Sequence, residues 1–395
     1  MACFAKKPKC GGPLAEDQSG LCPACLDLFK TCGDLLSTKK KNIRERRGSI
    51  IMLGLNEATG KELQTAWSTR LDRLVQSLFH DALVVVTKDP PQTGWCFCVS
   101  GSGARQEACP YSDLDCFILV DDASPNTADI YRRAAKTMSD FLFALDEDGT
   151  LDLGLRFCHG GLNPLGYNTQ SQPELIGMPS RIASFIEEKG VNEHIVTGLA
   201  ESRAVCGDDS LHDIYRKEVE EVRGKSLSAP WSRPTLPGNK KAGLKLIEKA
   251  AKGWKGGLTK DTKQVDIKMD VYRVPQYALG GLAMWYDIKE QNSFRIVEEL
   301  NKKDKLSTRA VCAFNTVLEV VAKLRISAHL VQGGELDTLV PTQQKNATEL
   351  NETEWKELLG CRFHLDFIAR LALQFIENKT SILKKNRTNP FSTSI

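Results

Sequence analysis

The chain has 395 residues, of which 41% are hydrophobic and 26% are charged, and its formal net charge at pH 7 is +3. This composition excludes an intrinsically disordered chain and predicts a globular protein of about two domains. The small net charge argues against a nucleic-acid partner. No apolar run is long enough to span a membrane, and the N-terminus lacks the apolar core of a secretory signal, so we expect no membrane partner and a cytoplasmic location. Export by a route that uses no signal peptide stays an alternative.

The first 50 residues differ from the rest of the chain because they concentrate cysteines. Four thiolates are what a tetrahedral structural Zn²⁺ site needs, and a short region with little core would gain stability from such a site. The candidate zinc ligands are Cys10, Cys22, Cys25 and Cys32. The alternative is a helix over 21–36 in which the cysteines serve in packing. Further along, cysteines in apolar segments are expected to be buried, reduced thiols: Cys96, Cys98, Cys116 and Cys312.

Residues 51–222 are predicted to form the first folded domain, a small mixed sheet covered by helices. Apolar residues recur every three or four positions from Thr59 to Ala82, which predicts an amphipathic leading helix. The run Leu83–Val86 either extends this helix or begins the sheet. The remaining patterns predict strands near 95–99, 115–120 and 151–157, and helices over 128–145 and 211–222. His80 and His212, each followed by aspartate, are expected on helix surfaces rather than in metal sites.

A turn of small residues, Gly101-Ser102-Gly103, follows the first predicted strand. Residues without bulky side chains let backbone N–H groups approach phosphate oxygens, and a helix that begins there would direct its positive end towards them. Arg105 stands beside this turn and has two interpretations: it pairs bidentately with a phosphate, or it holds Glu107 in a structural ion pair. The turn therefore predicts a phosphate-binding element.

Two carboxylates one residue apart, Asp113 and Asp115, stand at the start of the second predicted strand. Alternate residues of a strand project to the same face, so both side chains can reach one ligand. Mg²⁺ prefers oxygen ligands and is commonly shared between carboxylates and substrate phosphates, and a metal pair stabilises both oxygens of an in-line displacement. Asp152, on the third predicted strand, is the candidate third carboxylate. With the glycine turn, this pattern predicts metal-dependent transfer of a nucleoside monophosphate.

The second half of the chain is predicted to be helical and begins after a lysine-rich segment over 223–263. That segment is predicted as a basic linker; the alternatives are a solvated helix face, or a basic lid over a triphosphate or an acidic partner. Apolar stripes at helical spacing predict a helical bundle over 264–380. Arg325 and His329, four residues apart, either face a cleft between domains or belong to a packed helix pair. A polar tail follows over 381–395.

The residues from the glycine turn to the carboxylate pair resemble the nucleotidyltransferase motif of the protein-PII uridylyltransferases, in the DNA polymerase β-like superfamily. Later segments are similar to further parts of that family. The matching residues are Gly101-Ser102-x-Ala104-Arg105-x-Glu107-x-x-Pro110-x-Ser112-Asp113-x-Asp115, Asp152-x-Gly154-Leu155, Leu199-x-Glu201-Ser202-Arg203-x-x-x-Gly207-Asp208, Asp266-Ile267-Lys268, Gly280-Gly281-Leu282, Trp285, Leu324-Arg325, His329-Leu330 and Asp337-x-Leu339. The chain departs from the family after His159, where Gly160-Gly161-Leu162-Asn163-Pro164 stands in place of a Ser-Val-Arg-Thr stretch, and after Leu282, where Ala283 replaces Arg.

The resemblance implies an α+β fold, with a small mixed-sheet nucleotidyltransferase domain followed by a helical domain, and without the family's phosphohydrolase and glutamine-sensing domains. It implies transfer of UMP or AMP, from UTP or ATP, to a hydroxyl acceptor on a protein, with release of pyrophosphate and with Mg²⁺ or Mn²⁺ as cofactor. The implied catalytic metal ligands are Asp113, Asp115 and Asp152. The implied nucleotide contacts are Gly101, Ser102, Arg105 and Ser112. The alternatives are an inactive nucleotide-binding or protein-docking module of the same fold, or a transferase acting on a small molecule or RNA.

Overall fold

The computed structural model of the chain describes residues 58–87, 94–122, 124–146, 157, 162–165, 174–186, 198–224, 238–332, 337–341 and 348–388. The chain divides into two compact units. Of the described residues, the first unit takes Thr65–Val219, and the second takes Ala58–Gln64, Glu220–Gln332 and those from 337 onward. Small sheets combined with many helices make this an α+β protein, as the sequence predicted. The cysteine-rich extension lies outside the described residues.

The first half of the described chain combines a small sheet with helices. Its elements are α1 (Gly60–Thr87), β1 (Trp95–Ser100), α2 (Gly101–Ala104), β2 (Cys116–Val120), α3 (Pro125–Asp146), β3 (Ile176–Gly177), α4 (Pro179–Ser184), β4 (Ser202–Gly207) and α5 (Asp209–Gly224). The four strands have the order β3-β2-β1-β4. β1 runs antiparallel to both β2 and β4, and β3 pairs in parallel with β2, so the sheet is mixed.

Helices cover both faces of this sheet. On one face, Phe79 of α1 packs against Trp95 and Phe97 of β1, with ring centroids 5.2 and 4.9 Å apart. On the other face, Tyr215 of α5 packs against Phe117 of β2 at 5.2 Å. Because strand side chains alternate between two covered faces, every residue of β1 and β2 is buried. This explains why continuous apolar runs, rather than alternating patterns, mark both strands in the sequence.

Capping contacts and a glycine set the ends of α1 and α5. Thr59 and Glu62 form a reciprocal capping box, in which the Glu62 N–H donates to Thr59 Oγ1 and the Thr59 N–H donates to Glu62 Oε2. α1 then runs through Leu83–Val86, so this apolar run extends the helix rather than beginning the sheet.

The turn from β4 into α5 requires a glycine. Gly207, the last residue of β4, has a φ of +98°, and a β-carbon there would lie 2.3 Å from the Trp95 carbonyl oxygen. Only glycine fits at this turn.

The second unit is a helical bundle with a small three-stranded sheet. Its elements are α6 (Gly238–Gly253), β5 (Val265–Asp266), a π-helix (Ile267–Tyr272), α7 (Arg273–Trp285), α8 (Ser293–Lys302), α9 (Thr308–Gln332), β6 (Thr338–Val340), β7 (Thr348–Glu349) and α10 (Glu352–Thr388). α6 lies within the segment predicted as a basic linker, and its Ile247 and Ala250 are buried in the bundle core. α10 continues into the segment predicted as a polar tail. None of the described helices combines the length and the apolar character needed to cross a membrane.

α6 and α7 cross at a pair of glycines. A β-carbon on Gly281 would lie 2.5 Å from the Gly243 carbonyl oxygen and 2.5 Å from Ile247 Cγ1. A β-carbon on Gly243 would in turn lie 2.7 Å from the Gly281 carbonyl oxygen. The two backbones approach so closely that neither position admits a side chain. The second glycine of the Gly280-Gly281 pair therefore has a packing role.

Alanine substitutions at Gly280 and Gly281 should separate the effect of helix packing on stability from the effect of helix propensity. Gly281→Ala is expected to lower the free energy of unfolding by about 1–3 kcal/mol, because the added methyl group overlaps backbone atoms of α6. Gly280→Ala is the matched control, since its β-carbon would lie 3.8 Å from Leu246 Cδ1. Alanine at that position favours the helix by up to about 1 kcal/mol. Urea unfolding is the measurement, and equal destabilisation by both variants would contradict the close crossing.

A buried charged cluster ties α9 to the residue that precedes β6. Arg325 donates to both carboxylate oxygens of Asp337, at 2.6 and 3.3 Å, and His329 Nε2 lies 3.3 Å from Asp337 Oδ1. The Arg325 guanidinium also lies over the ring of Tyr272, 5.1 Å from its centroid. All of these residues are buried. Arg325 and His329 therefore belong to the packed interior of the helical unit, and the packed-helix interpretation of the sequence is the observed one.

Candidate active site

The glycine turn and the carboxylate pair meet at one end of β1 and β2. Gly101 has a φ of +56°, and a β-carbon at this position would lie 2.8 Å from Asp115 Oδ2. Glycine is thus required both by the backbone conformation and by the approach of the carboxylate. The helix expected after the turn is present, but it is only the four-residue α2. The contribution of its dipole to phosphate binding stays a prediction.

The side chains of Asp113 and Asp115 lie on the side of the chain opposite to that of Leu114. Its side chain is buried, whereas those of Asp113 and Asp115 are partly exposed, as expected for alternation along an extended chain. The Asp115 carbonyl oxygen accepts a 2.8 Å hydrogen bond from the Ser100 N–H, and Asp115 Oδ1 accepts a 2.9 Å hydrogen bond from the Leu162 N–H. Main-chain contacts on both sides therefore hold Asp115 in place.

The third predicted carboxylate, Asp152, lies outside the described residues, and its role stays a prediction. Downstream of it, Phe157 pairs in parallel with Leu114 in an isolated bridge. A second link follows at Leu162, whose carbonyl oxygen accepts a 2.9 Å hydrogen bond from the Cys116 N–H. The chain that follows Asp152 therefore pairs with the residue between the two carboxylates and with the first residue of β2.

Arg105 lies between two carboxylates. Its Nε donates to Glu107 Oε2 at 3.0 Å, and its Nη1 lies 3.6 Å from Glu201 Oε2. The Arg105 side chain is 13% exposed and that of Glu107 is 1% exposed, so the pair is largely shielded from water. Of the two interpretations of Arg105, the ion pair with Glu107 is the observed one, and the phosphate contact stays a prediction.

Arg203 of β4 links the glycine turn to α1, a role that the sequence analysis did not assign to it. Its Nη2 donates to the Gly103 carbonyl oxygen at 3.0 Å and to Asp72 Oδ1 at 2.8 Å. Ser100, at the end of β1, donates through its hydroxyl to the Glu201 carbonyl oxygen at 3.1 Å. The turn is thus held from β4 and α1 as well as from β1. The one signal for these contacts in the sequence is the family-like segment around Glu201.

The two serines predicted to contact nucleotide have different environments. Ser112 is buried, its hydroxyl oxygen accepts a 3.0 Å hydrogen bond from the Cys109 N–H, and its own N–H donates to the Cys109 carbonyl oxygen. These contacts close the turn that leads to Asp113. Ser102 is partly exposed, and its carbonyl oxygen accepts a 2.9 Å hydrogen bond from the Glu107 N–H. Ser112 thus shapes the loop, and the nucleotide contacts of both serines stay predictions.

The exposure of Cys312 and of His212 differs from what the sequence predicted. Cys312 is exposed rather than buried. The other three cysteines of that group are buried free thiols, as predicted: Cys96, Cys98 and Cys116. His212, expected on a helix surface, is buried, and its Nε2 lies 3.1 Å from Ser202 Oγ. Burial and then the charge of Arg216 lower the pKa of His212, so the imidazole is neutral near pH 7.

A divalent cation shared with a substrate phosphate fits the donors of this site. Asp113 and Asp115 supply two hard oxygen ligands, and Mg²⁺ is commonly bound by one or two carboxylates together with substrate phosphates. The missing β-carbon at Gly101 leaves room for Asp115 Oδ2. Within the described ranges, no group of three or more His, Cys, Asp or Glu side chains could hold a metal by itself. The candidate zinc ligands lie outside the described residues, so zinc stays a prediction: Cys10, Cys22, Cys25 and Cys32.

A glycine turn that closes onto a carboxylate pair, at the end of two antiparallel strands in a small mixed sheet, is the arrangement that the nucleotidyltransferase class predicted from the sequence requires. The family model described as SidM, N-terminal domain, matches residues 39–339. This match covers more than half of the chain, and the chain therefore belongs to the SidM N-terminal domain family.

Two curated relatives from Neisseria meningitidis, one of serogroup B and one of serogroup A, are similar to this chain. Each is named a bifunctional glutamine synthetase adenylyltransferase/adenylyl-removing enzyme. They are 26% and 25% identical to it over 235 residues, which is 57% of this chain and 24% of each relative. The chain thus spans about a quarter of the length of the curated relatives it matches. The nucleotidyltransferase class predicted from sequence is confirmed, and the narrower resemblance to protein-PII uridylyltransferases stays a prediction.

Proposed function

We propose that this protein transfers AMP from ATP to a hydroxyl group on a protein side chain, with release of pyrophosphate. The observation that carries the proposal is the close approach of Gly101 to the Asp115 carboxylate, two residues after Asp113. AMP is preferred to UMP because both curated relatives are named adenylyltransferases. A protein acceptor is preferred because that same name gives glutamine synthetase as the target of those relatives.

The proposed reaction is an in-line displacement at the α-phosphorus. The acceptor hydroxyl oxygen forms a bond to the α-phosphorus, the bond from the α-phosphorus to the bridging oxygen breaks, and pyrophosphate leaves with that electron pair. The hydroxyl proton passes to a base, for which Asp152 is our candidate. Mg²⁺ or Mn²⁺ held by Asp113 and Asp115 would supply neutralisation of the triphosphate charge.

The remaining residues of the site are proposed to position the triphosphate. The backbone N–H groups of Gly101 and Ser102 are the candidate donors to phosphate oxygens, because the turn has no bulky side chain. Arg203 is a positioning residue, since it ties the end of this turn to α1. Arg105 would reach a phosphate by exchanging the longer of its ion pairs, the 3.6 Å contact with Glu201.

Labelling with each nucleoside triphosphate, radiolabelled in the α-phosphate, tests the reaction. The chain is incubated with cell lysate, and label from ATP is expected in protease-sensitive, nuclease-resistant material, at least about tenfold above label from UTP. EDTA is expected to abolish the labelling, and excess Mg²⁺ or Mn²⁺ to restore it. Nuclease-sensitive label would indicate an RNA acceptor. Nucleotide binding without any labelled product would indicate an inactive module, and either result contradicts the proposal.

A further inference from the structure

The outward face of α6 is a continuous row of lysines. Lys241, Lys245 and Lys249 are spaced by four residues and Lys252 follows three residues later, which places all four on one side of the helix. Each of these four residues is exposed. The other sides of α6 pack against α7 and α10. We call these four residues the lysine face.

Two residues of the lysine face, Lys241 and Lys245, carry charge that no described carboxylate neutralises. Neither Lys241 nor Lys245 pairs with a carboxylate of the described residues, and Lys252 pairs with Glu248, the one acidic residue of α6. Lysines four residues apart on a helix repel one another, so the row costs helix stability. The exposed ammonium groups of Lys241 and Lys245 can therefore bind an anionic partner without breaking an ion pair of α6.

The positive charge of the chain is concentrated around this helix. Residues 238–263 contain eight lysines, no arginine, one glutamate and one aspartate, which is an excess of six positive charges. The complete chain has a net charge of +3, so its remaining residues are net negative. A local positive field of this kind attracts an anionic partner and speeds its association.

The composition of the lysine face favours carboxylates over phosphates. Arginine is the preferred residue for bidentate phosphate contacts, and residues 238–263 contain none. Single-stranded nucleic acids stack on aromatic rings, but Trp254, just after α6, packs within the bundle and donates through Nε1 to Asp366 of α10 at 2.6 Å. A helix that lies on a membrane needs an exposed apolar side, whereas the described exposed residues of α6 are charged, apart from Gly253.

We propose that the lysine face binds an aspartate- and glutamate-rich segment of the protein acceptor. Its four lysines span about 16 Å along the helix, enough for several carboxylates of one segment. The face raises the local concentration of the acceptor and its association rate, with a strong dependence on salt. The identity of the partner as the acceptor rests on the proposed function, whereas the binding of an acidic polypeptide does not.

Binding of fluorescent poly-L-glutamate to the full chain, followed by anisotropy, tests the lysine face. The variant Lys241→Gln/Lys245→Gln/Lys249→Gln is expected to bind about tenfold more weakly than the wild type at about 50 mM NaCl. A control with the same loss of charge, Lys217→Gln/Lys303→Gln/Lys356→Gln, is expected to lose less than about twofold. The corresponding triple Lys→Arg variant keeps the charge and is expected to retain binding.

Three results would overturn the proposal. The first is wild-type binding to poly-L-glutamate no tighter than to a neutral polyglutamine peptide. The second is an equal loss of binding in the two triple glutamine variants. The third is tighter binding of single-stranded RNA, or of phosphatidylserine vesicles, at equal anion concentration. Asp113→Asn is expected to bind poly-L-glutamate like the wild type, so a failure of nucleotide transfer and a failure of this proposal are distinguishable.

Discussion

Asp113→Asn and Asp115→Asn are each expected to lower the rate of AMP transfer by about 10³-fold or more. Each substitution removes one negative charge from the pair proposed to hold the metal and the triphosphate, while it keeps the side-chain volume. Asparagine at position 115 also keeps an oxygen that can accept the hydrogen bond from the Leu162 N–H. The fold should therefore persist, with unfolding temperatures within about 2 °C of the wild type. Initial rates of label incorporation and thermal unfolding are the measurements.

A matched control comes from an exposed aspartate away from the site. Asp213→Asn on α5 removes the same charge and is expected to keep the rate within about twofold of the wild type. Asp152→Asn is expected to behave like the two site variants, because we propose Asp152 as the third carboxylate. Label incorporation that survives both Asp113→Asn and Asp115→Asn would refute the site.

Asp337→Asn is expected to lower the free energy of unfolding of the helical unit by about 3–5 kcal/mol. The Arg325 side chain is 2% exposed, and Asp337 is the carboxylate it contacts, at 2.6 Å. Removing the negative charge leaves the buried guanidinium without the carboxylate that it contacts at 2.6 Å, and the loss of one partner of a buried ion pair costs more than the pair itself contributes. Urea unfolding is the measurement. Glu352→Gln, which breaks the exposed pair with Lys356, is the control and is expected to cost less than about 1 kcal/mol.

A double substitution distinguishes an uncompensated charge from a general packing defect. Arg325→Met alone is expected to destabilise the unit, but Arg325→Met combined with Asp337→Asn should be more stable than the sum of the two single effects predicts. The reason is that neither charge then remains buried alone. Strictly additive losses in the three variants would show that the charges of this pair are not coupled.

The Asp337 carboxylate also makes the free energy of unfolding depend on pH in the acidic range. Burial raises the pKa of Asp337, but the adjacent His329 imidazole and Arg325 guanidinium lower it more, so the net shift is downward. A carboxyl with a folded pKa below its unfolded value of about 3.9 stabilises the fold above that pH and loses this contribution as pH falls. The free energy of unfolding should therefore fall more steeply below about pH 4 in the wild type than in Asp337→Asn. An equal dependence of the free energy of unfolding on pH below about pH 4 in the two proteins would contradict the assignment of this effect to Asp337.

Local patterns were sufficient to predict the elements that carry the site. The small-residue turn after an apolar run predicted the end of β1, and the carboxylates around Leu114 alternate as strand geometry requires. Helices α1 and α3 were predicted with their ends off by a few residues, because each buries a regular stripe of large apolar side chains. The strand β4 was not predicted, since its exposed and buried residues do not alternate regularly.

α6 shows where local patterns are insufficient. Its lysines and glycines gave it the composition of a linker, and its buried side is narrow and built partly from small residues such as Gly243 and Ala250. Small residues are a weak apolar signal in a sequence, yet they allow the closest approach of two helices. The packing role of α6 is visible only once Gly281 of α7 is placed against it.

The sequence by itself determined the α+β class and located the candidate site, because a turn that needs glycine and a pair of carboxylates two residues apart are local features. Tertiary structure alone decided which charges meet: Arg105 with Glu201, and Arg203 with Asp72, the latter pair 131 residues apart in the chain. Such partners have no fixed spacing or period in a sequence, because the packing of whole elements, rather than local backbone preference, brings them together.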